Sequence, residues 1–321
     1  MRWSLLVLVF LASALCAQDK PEETLNAVVA ISAKIQPNAR SAETLGMQRS
    51  GTGALVRDGY VLTIGYLVIE AEAIQVTGAD GRTLPATLAA YDHASGLALL
   101  KVVGALGARP LPLGDSAALA EREPAMAVSA PARDSPTLVY VVSRRAFAGS
   151  WEYLLDSAIF TYPPVMEWSG APLIGAKGEL LGIGSLIVPD AGAPGTQSPG
   201  NMFVPVDLLK PILDDLIASG KRSGPARPWL GLNTDEVRGR LFVGRVSPDG
   251  PAARAGLKSG DIVVAVGGEE VTTLADFYRR IWGSGAAGAA VRIKVLQGAS
   301  LRDVTVRSID RMDYFRPSKT Y

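Results

Sequence analysis

Serine-dependent hydrolysis at neutral pH needs a hydroxyl nucleophile, a histidine to take its proton and an acid to orient that histidine. It also needs backbone N–H groups aimed at the developing oxyanion. The chain holds one histidine, His93, and one cysteine, Cys16, so any serine–histidine mechanism must run through His93. Asp92 is the acid beside it. Adjacent residues of a strand point to opposite faces, so this pair is badly placed to bond through side chains unless a loop relaxes the backbone. A serine–lysine dyad is the remaining catalytic option. Lys101 and Lys177 are the lysines near relevant segments, and both also read as ordinary solvated lysines. One histidine and at most one cysteine leave no ligand set for zinc. There is no phosphate loop or nucleotide fingerprint, so neither a cofactor nor a metal is expected. The 32 Lys and Arg residues nearly balance the 31 Asp and Glu, which argues against a nucleic-acid surface.

The elements that must position such residues are mostly short strands. The chain's 34 glycines largely punctuate short apolar runs, a pattern of strands and turns. Strand candidates fall at residues 27–35, 54–56, 60–63, 73–76, 83–88, 97–103, 125–129, 138–143, 172–174 and 180–186. Asp58-Gly59 and Asp80-Gly81 are hairpin turn dipeptides. Helical spacing first becomes clear over residues 206–219, where Leu208, Leu209, Ile212, Leu213 and Leu216 recur, and Gly220 stops the helix. Residues 221–228, rich in Gly, Pro and basic side chains, read as a linker. A second β-rich unit follows, with strands at 241–246, 261–266, 291–296 and 304–309 and helices at 251–256 and 274–282. Residues 312–321 are expected to be loosely ordered.

The first residues read as an export signal. Arg2 supplies positive charge, and an apolar stretch of about eleven residues follows, short for a spanning helix of about twenty. Cleavage after Cys16 or Ala17 is expected, with an uncleaved inner-membrane anchor as the alternative. The expected division is 1–17 signal peptide, 18–220 first domain, 221–227 linker, 228–312 second domain and 313–321 tail.

Several motifs resemble one family. Gly51-Thr52-Gly53-Ala54-Leu55-Val56 with Gly59-Tyr60-Val61-Leu62-Thr63 is similar to the start of the HtrA/Deg protease domain. Ser169-Gly170-Ala171-Pro172-Leu173, with the strand at Gly178-Glu179-Leu180-Leu181-Gly182-Ile183, resembles its nucleophile loop and the strand after it. Phe203-Val204-Pro205-Val206 resembles the lead into its terminal helix. Trp229-Leu230-Gly231-Leu232, Pro251-Ala252-Ala253-Arg254-Ala255-Gly256-Leu257 and Gly260-Asp261-Ile262-Val263 resemble its PDZ domain. The resemblance implies an all-β-dominated fold, a chymotrypsin/trypsin-like double β-barrel followed by one PDZ domain, in a periplasmic protein.

It also implies where the catalytic residues belong, and the chain departs from the family there. Ser169 stands at the nucleophile position. The histidine position, three residues after Thr63, carries Tyr66, and a phenol with a pKa near 10 is a poor acceptor for a serine proton. The acid position carries Gly96. The Gly-Asn pair that the family places before its serine is replaced by Glu167-Trp168, which puts a negative charge where an oxyanion must form. The implied protein is a degenerate protease acting as a non-catalytic peptide-binding adaptor or regulator in protein quality control. The alternative is a slow or specialised serine endopeptidase using Ser169.

The PDZ resemblance implies capture of peptide C-termini by Trp229, Leu230, Gly231 and Leu232, with Tyr278 and Trp282 lining the groove. Binding is expected in the micromolar range, about −8 kcal/mol. A homo-trimer or a hetero-assembly with an active HtrA protease is the implied assembly. The aromatic stretch at 147–155, with Phe160, Tyr162 and Trp168, is open to three readings: filling of the old cleft, a new contact surface, or plain core packing.

Overall fold

The computed structural model describes residues 19–131 and 136–315. The expected export signal and its cleavage site lie outside these residues, as do 316–321 of the tail. A short helix α1 (Asp19–Asn26) leads into β1 (Val28–Ile35), a helical turn α2 (Ala42–Leu45), β2 (Gln48–Arg57), β3 (Tyr60–Ile64), β4 (Ala71–Thr77), β5 (Thr83–Asp92) and β6 (Leu97–Val102). The six strands close into a barrel in the order β1-β2-β3-β6-β5-β4. Asp58-Gly59 makes the β2–β3 turn, with Gly59 at φ +75°. That conformation suits glycine, which has no Cβ to clash.

The second barrel is built from β7 (Pro124–Val128), β8 (Pro136–Gly149), β9 (Tyr153–Tyr162), β10 (Pro172–Ile174), β11 (Leu180–Val188) and β12 (Gly200–Pro205), closed in the order β10-β11-β12-β9-β8-β7. Closure leaves neither barrel an open edge. Apolar residues of both barrels share one buried cluster, including Ile31, Leu62, Leu97, Leu99, Phe160 and Val204.

The helix expected over residues 206–219 is interrupted. A 3-10 turn covers Val206–Leu208 and α3 runs only over Leu213–Ser219. Pro211 between them lacks an N–H and disfavours helical backbone in the residue before it. Gly220 ends α3 in the left-handed region, with its N–H bonded to the Leu216 carbonyl.

The PDZ unit is a sheet of β13 (Leu232–Val237), β14 (Arg240–Val246), β15 (Ile262–Val266), β17 (Ala290–Gln297) and β18 (Ser300–Arg307), in that order, with β16 (Glu269–Glu270) paired to β15. Helices α4 (Pro251–Arg254), α5 (Leu274–Gly283) and α6 (Arg311–Tyr314) complete it. Its core gathers Leu230, Leu232, Phe277, Tyr278, Ile281 and Val291. Leu154 from β9 of the second barrel joins that core, so the domains share apolar packing. The stretch expected to be loose after residue 311 is partly packed. Met312 meets His93, Tyr314 lies 4.6 Å from the Trp229 ring, and Arg40 sits 4.0 Å over the Tyr314 ring.

Candidate functional site

Ser169 sits where the two barrels meet, in a loop whose backbone is tied from both sides. The Thr52 N–H of β2 donates to the Ser169 carbonyl at 2.8 Å, and the Gly170 N–H donates to the Gly184 carbonyl of β11 at 2.9 Å. Gly51 admits this approach, because a Cβ there would lie 2.6 Å from the Ser169 carbonyl oxygen. The Gly-Thr-Gly motif therefore shapes the seat of the Ser169 loop.

The Ser169 hydroxyl lies 2.8 Å from the Tyr66 hydroxyl. The phenol donates its one proton to the Ser185 carbonyl at 2.9 Å, so at Tyr66 it is the serine that donates. Ser185 falls at a register shift between Gly184 and Leu186 in the β11–β12 pairing. Tyr66 rides on a 3-10 turn, Gly65–Leu67. The Arg49 guanidinium fixes that turn by donating to the Tyr66 carbonyl at 2.6 Å and the Ile69 carbonyl at 3.2 Å. Burial pushes the Tyr66 phenol up to about 12, and its hydrogen bond with Ser169 offsets only part of that. A neutral phenol with a raised pKa is a poor acceptor for a serine proton.

Gly96, which the resemblance puts at the acid position, is held by its backbone and by a ring. It adopts φ +77°, and a Cβ there would lie 3.3 Å from the Tyr153 ring and hydroxyl. The Tyr153 hydroxyl donates to the neighbouring Ser95 carbonyl at 2.6 Å. Glu167 is exposed and is not among the residues with positive φ, so its backbone avoids the conformation that a glycine there would permit. Lys101 and Lys177 are both exposed.

His93 and Asp92 belong to a different structure. Asp92 ends β5. Its buried carboxylate accepts both prongs of the Arg222 fork at 2.7 and 2.8 Å, together with the Ser95 N–H at 3.0 Å and hydroxyl at 2.5 Å. His93 is half-buried against residues near the end of the described chain. Its ring centroid lies 4.2 Å from that of Tyr91 and stacks at 5.9 Å from Phe315, and Nε2 is 2.8 Å from the Met312 sulfur. Nδ1 is sealed from solvent without a partner among the described residues.

Burial, then the Arg311 charge, holds the His93 pKa well below the ordinary histidine value. The unfolded chain therefore binds a proton below about pH 6.5 that the folded chain refuses. Folding stability contributed by neutral His93 is present above that pH and is lost as pH falls toward the folded pKa, by up to about 1.4 kcal/mol per pH unit. Urea unfolding at pH 7 and pH 5 should show a larger drop for the parent chain than for His93→Gln. Equal drops would contradict this burial.

The expected peptide loop is present but not open. Gly231, at φ +83°, lets the N–H groups of Leu230, Gly231 and Leu232 converge. They donate to the Glu152 carboxylate at 3.0, 2.6 and 2.8 Å. Glu152 lies in the hairpin turn between β8 and β9. Tyr278, expected to line a groove, is fully buried, and its hydroxyl donates to the Gly149 carbonyl at 2.7 Å. Trp229 is covered by Tyr314, while Trp282 stacks on Tyr278 at 5.7 Å and faces Arg227 at 4.4 Å. The rings of the aromatic stretch, Phe147, Trp151, Tyr153 and Phe160, pack with the barrel core, while Leu154 and the Glu152 turn reach the PDZ unit. Sequence reading missed Glu152, Arg222, Arg49 and Tyr153. The one available signal was a charged residue in a tight turn between two aromatics, Trp151 and Tyr153.

The chain matches the model of the trypsin-like peptidase domain over residues 51–183 and that of the PDZ domain over residues 228–307. It is 32% identical over 277 residues to the "Probable periplasmic serine endoprotease DegP-like" of Halomonas elongata, covering 80% of this chain and 55% of the relative. The protein of the same name from Pseudomonas putida is 30% identical over 287 residues, with 81% and 55% covered. The chain thus spans about half the length of these curated relatives. Among solved structures, the HtrA-type protease AlgW with a decapeptide superposes with a TM-score of 0.55 at 21% identity, over 93% of this chain and 98% of that one. The serine endoprotease from Yersinia pestis gives a TM-score of 0.54 at 22% identity, over 91% and 96%. No helix among the described residues is long and apolar enough to cross a membrane. Domain order, motif placement and relatives agree, and the chain belongs to the HtrA/Deg family, in which a trypsin-like double barrel is followed by a PDZ domain.

Proposed function

We propose that this chain is a periplasmic HtrA-family protein without peptidase turnover, serving as a peptide-binding adaptor or regulator in protein quality control. One arrangement carries the reading: the Ser169 hydroxyl lies 2.8 Å from a phenol that donates its own proton to the Ser185 carbonyl at 2.9 Å. Loss of the proton acceptor alone lowers serine hydrolysis by several orders of magnitude, and Gly96 and Glu167 remove support from the acid and oxyanion positions as well. The periplasmic location rests on the names of the relatives and on the apolar N-terminal segment. The assemblies consistent with the reading are a homo-trimer and a hetero-assembly with an active HtrA protease, and native mass measurement separates them.

Hydrolysis of unfolded casein should stay at background and be unchanged by Ser169→Ala. Tyr66→His combined with Gly96→Asp should rescue little. An aspartate at position 96 would carry left-handed backbone strain of about 1–2 kcal/mol and meet the Tyr153 ring, while Glu167 would remain. Hydrolysis that disappears with Ser169→Ala would sink the reading in favour of a slow endopeptidase.

A further inference from the structure

A PDZ carboxylate loop is a cluster of backbone N–H groups that recognises one thing, a carboxylate at the end of an extended segment. In this chain that cluster holds the side-chain carboxylate of Glu152, with all three N–H groups of Leu230, Gly231 and Leu232 bonded to it. The mimicry extends past the carboxylate. The Thr234 N–H at the free edge of the sheet, on β13, donates to the Ser150 carbonyl at 2.9 Å, as it would to an added strand. Leu154 joins the buried apolar cluster that also contains Leu230, Leu232, Phe277 and Tyr278, and a PDZ groove takes the terminal apolar side chain of its ligand. We propose that Glu152 and its hairpin are an internal ligand of the PDZ loop, so that peptides with a free C-terminal carboxylate bind this chain only by displacing the hairpin.

The hairpin is built for that contact at a local cost. Gly149 pairs with Tyr153 across the turn, and Glu152 takes φ +58°, a place in such turns that favours glycine. A glutamate keeps this conformation only where its surroundings over-determine it. Here the carboxylate is anchored in the loop, the Glu152 N–H donates to the Tyr278 hydroxyl at 3.3 Å, and the Arg311 guanidinium donates to the Trp151 carbonyl at 3.2 Å. Burial raises the Glu152 carboxyl above its ordinary range, against the lowering effect of the three N–H groups and Arg311. The contact is thus held under a desolvation cost, which leaves room for a competing carboxylate.

The inference rests on the peptide-binding reading above, and Glu152→Gly tests it in the full chain. Glycine suits the turn's left-handed backbone, so the variant removes the carboxylate without adding strain. A fluorescent decapeptide ending in valine with a free carboxylate should bind Glu152→Gly at least tenfold more tightly than the parent. The amidated peptide should bind neither, and Gly231→Val added to the variant should abolish the gain. Hydrogen exchange at the amides of residues 230–232 should be faster in Glu152→Gly. Equal peptide affinity in parent and variant overturns the internal ligand and leaves the adaptor reading standing. If neither binds peptide, the adaptor reading falls, and exchange decides the latch: faster exchange upholds the Glu152 contact, and unchanged exchange overturns it.

Discussion

Gly170→Ala should be among the most damaging single substitutions in the barrels. Gly170 lies at φ +74°, and a Cβ there would fall 2.0 Å from the Thr52 carbonyl oxygen and 2.5 Å from the Thr63 hydroxyl. The obstruction is backbone at the seam of the two barrels, where the Thr63 hydroxyl also donates to that carbonyl at 2.7 Å. Left-handed strain accounts for about 1–2 kcal/mol, and forcing the seam apart should bring the total to about 4 kcal/mol. Gly59→Ala separates the two contributions. Gly59 has almost the same φ, +75°, with nothing within 4 Å of its missing Cβ, so only the strain should appear. Urea unfolding of both variants measures the difference. Similar small losses for the two would contradict the steric account of why glycine follows the serine.

Asp92→Ala should cost about 2–3 kcal/mol and free the linker. Removing one partner of a buried ion pair is expensive, about 3–5 kcal/mol, when the other charge is stranded. Here the Arg222 side chain keeps 37% of its surface exposed and can rehydrate, which argues for the lower range. The Ser95 hydroxyl loses its acceptor as well, beside Gly96. Without the carboxylate, Lys221 and Arg222 should become available to trypsin, so limited proteolysis at the linker should accelerate together with the loss in urea stability. An unchanged cleavage rate and a loss below about 0.5 kcal/mol, the range of ordinary surface substitutions, would show that Arg222 does not hold the joint.

The double barrel and the PDZ fold were legible because their signals are local. Turn dipeptides such as Asp58-Gly59, alternating apolar runs, and glycines at fixed distance from Ser169 each act over a few residues. Tyr66 and Gly96 drew notice for the same reason, as single departures from the pattern that the resemblance implies. Four strands escaped: β9, β12, β13 and the two-residue β16. β9 lies within an aromatic stretch whose ring contacts, such as Trp151 stacked on Tyr153 at 5.7 Å, masked its alternation, and β12 overlaps the lead into the helix. Position 211 could have warned that the helix after β12 is broken, since proline interrupts a helical backbone hydrogen bond.

The functional surprises are long-range. Asp92 meets Arg222 130 residues away, His93 meets Met312 219 residues away, and Glu152 meets the PDZ loop 78 to 80 residues away. A polar pair of that kind leaves no periodicity in the sequence. The PDZ motif announced a carboxylate site, but nothing local to it announced that the carboxylate would come from the chain itself.

The central claim is that Ser169 has no group able to take its proton. Fluorophosphonates modify serine hydroxyls that a neighbouring base activates, independently of any peptide specificity. Incubating the full chain with such a probe at neutral pH and reading the intact mass tests the claim at the oxygen concerned. The expected result is no adduct beyond that found on Ser169→Ala. A stoichiometric adduct on the parent chain that is absent from Ser169→Ala would mean that Ser169 is activated and that the Tyr66 phenol does not silence it.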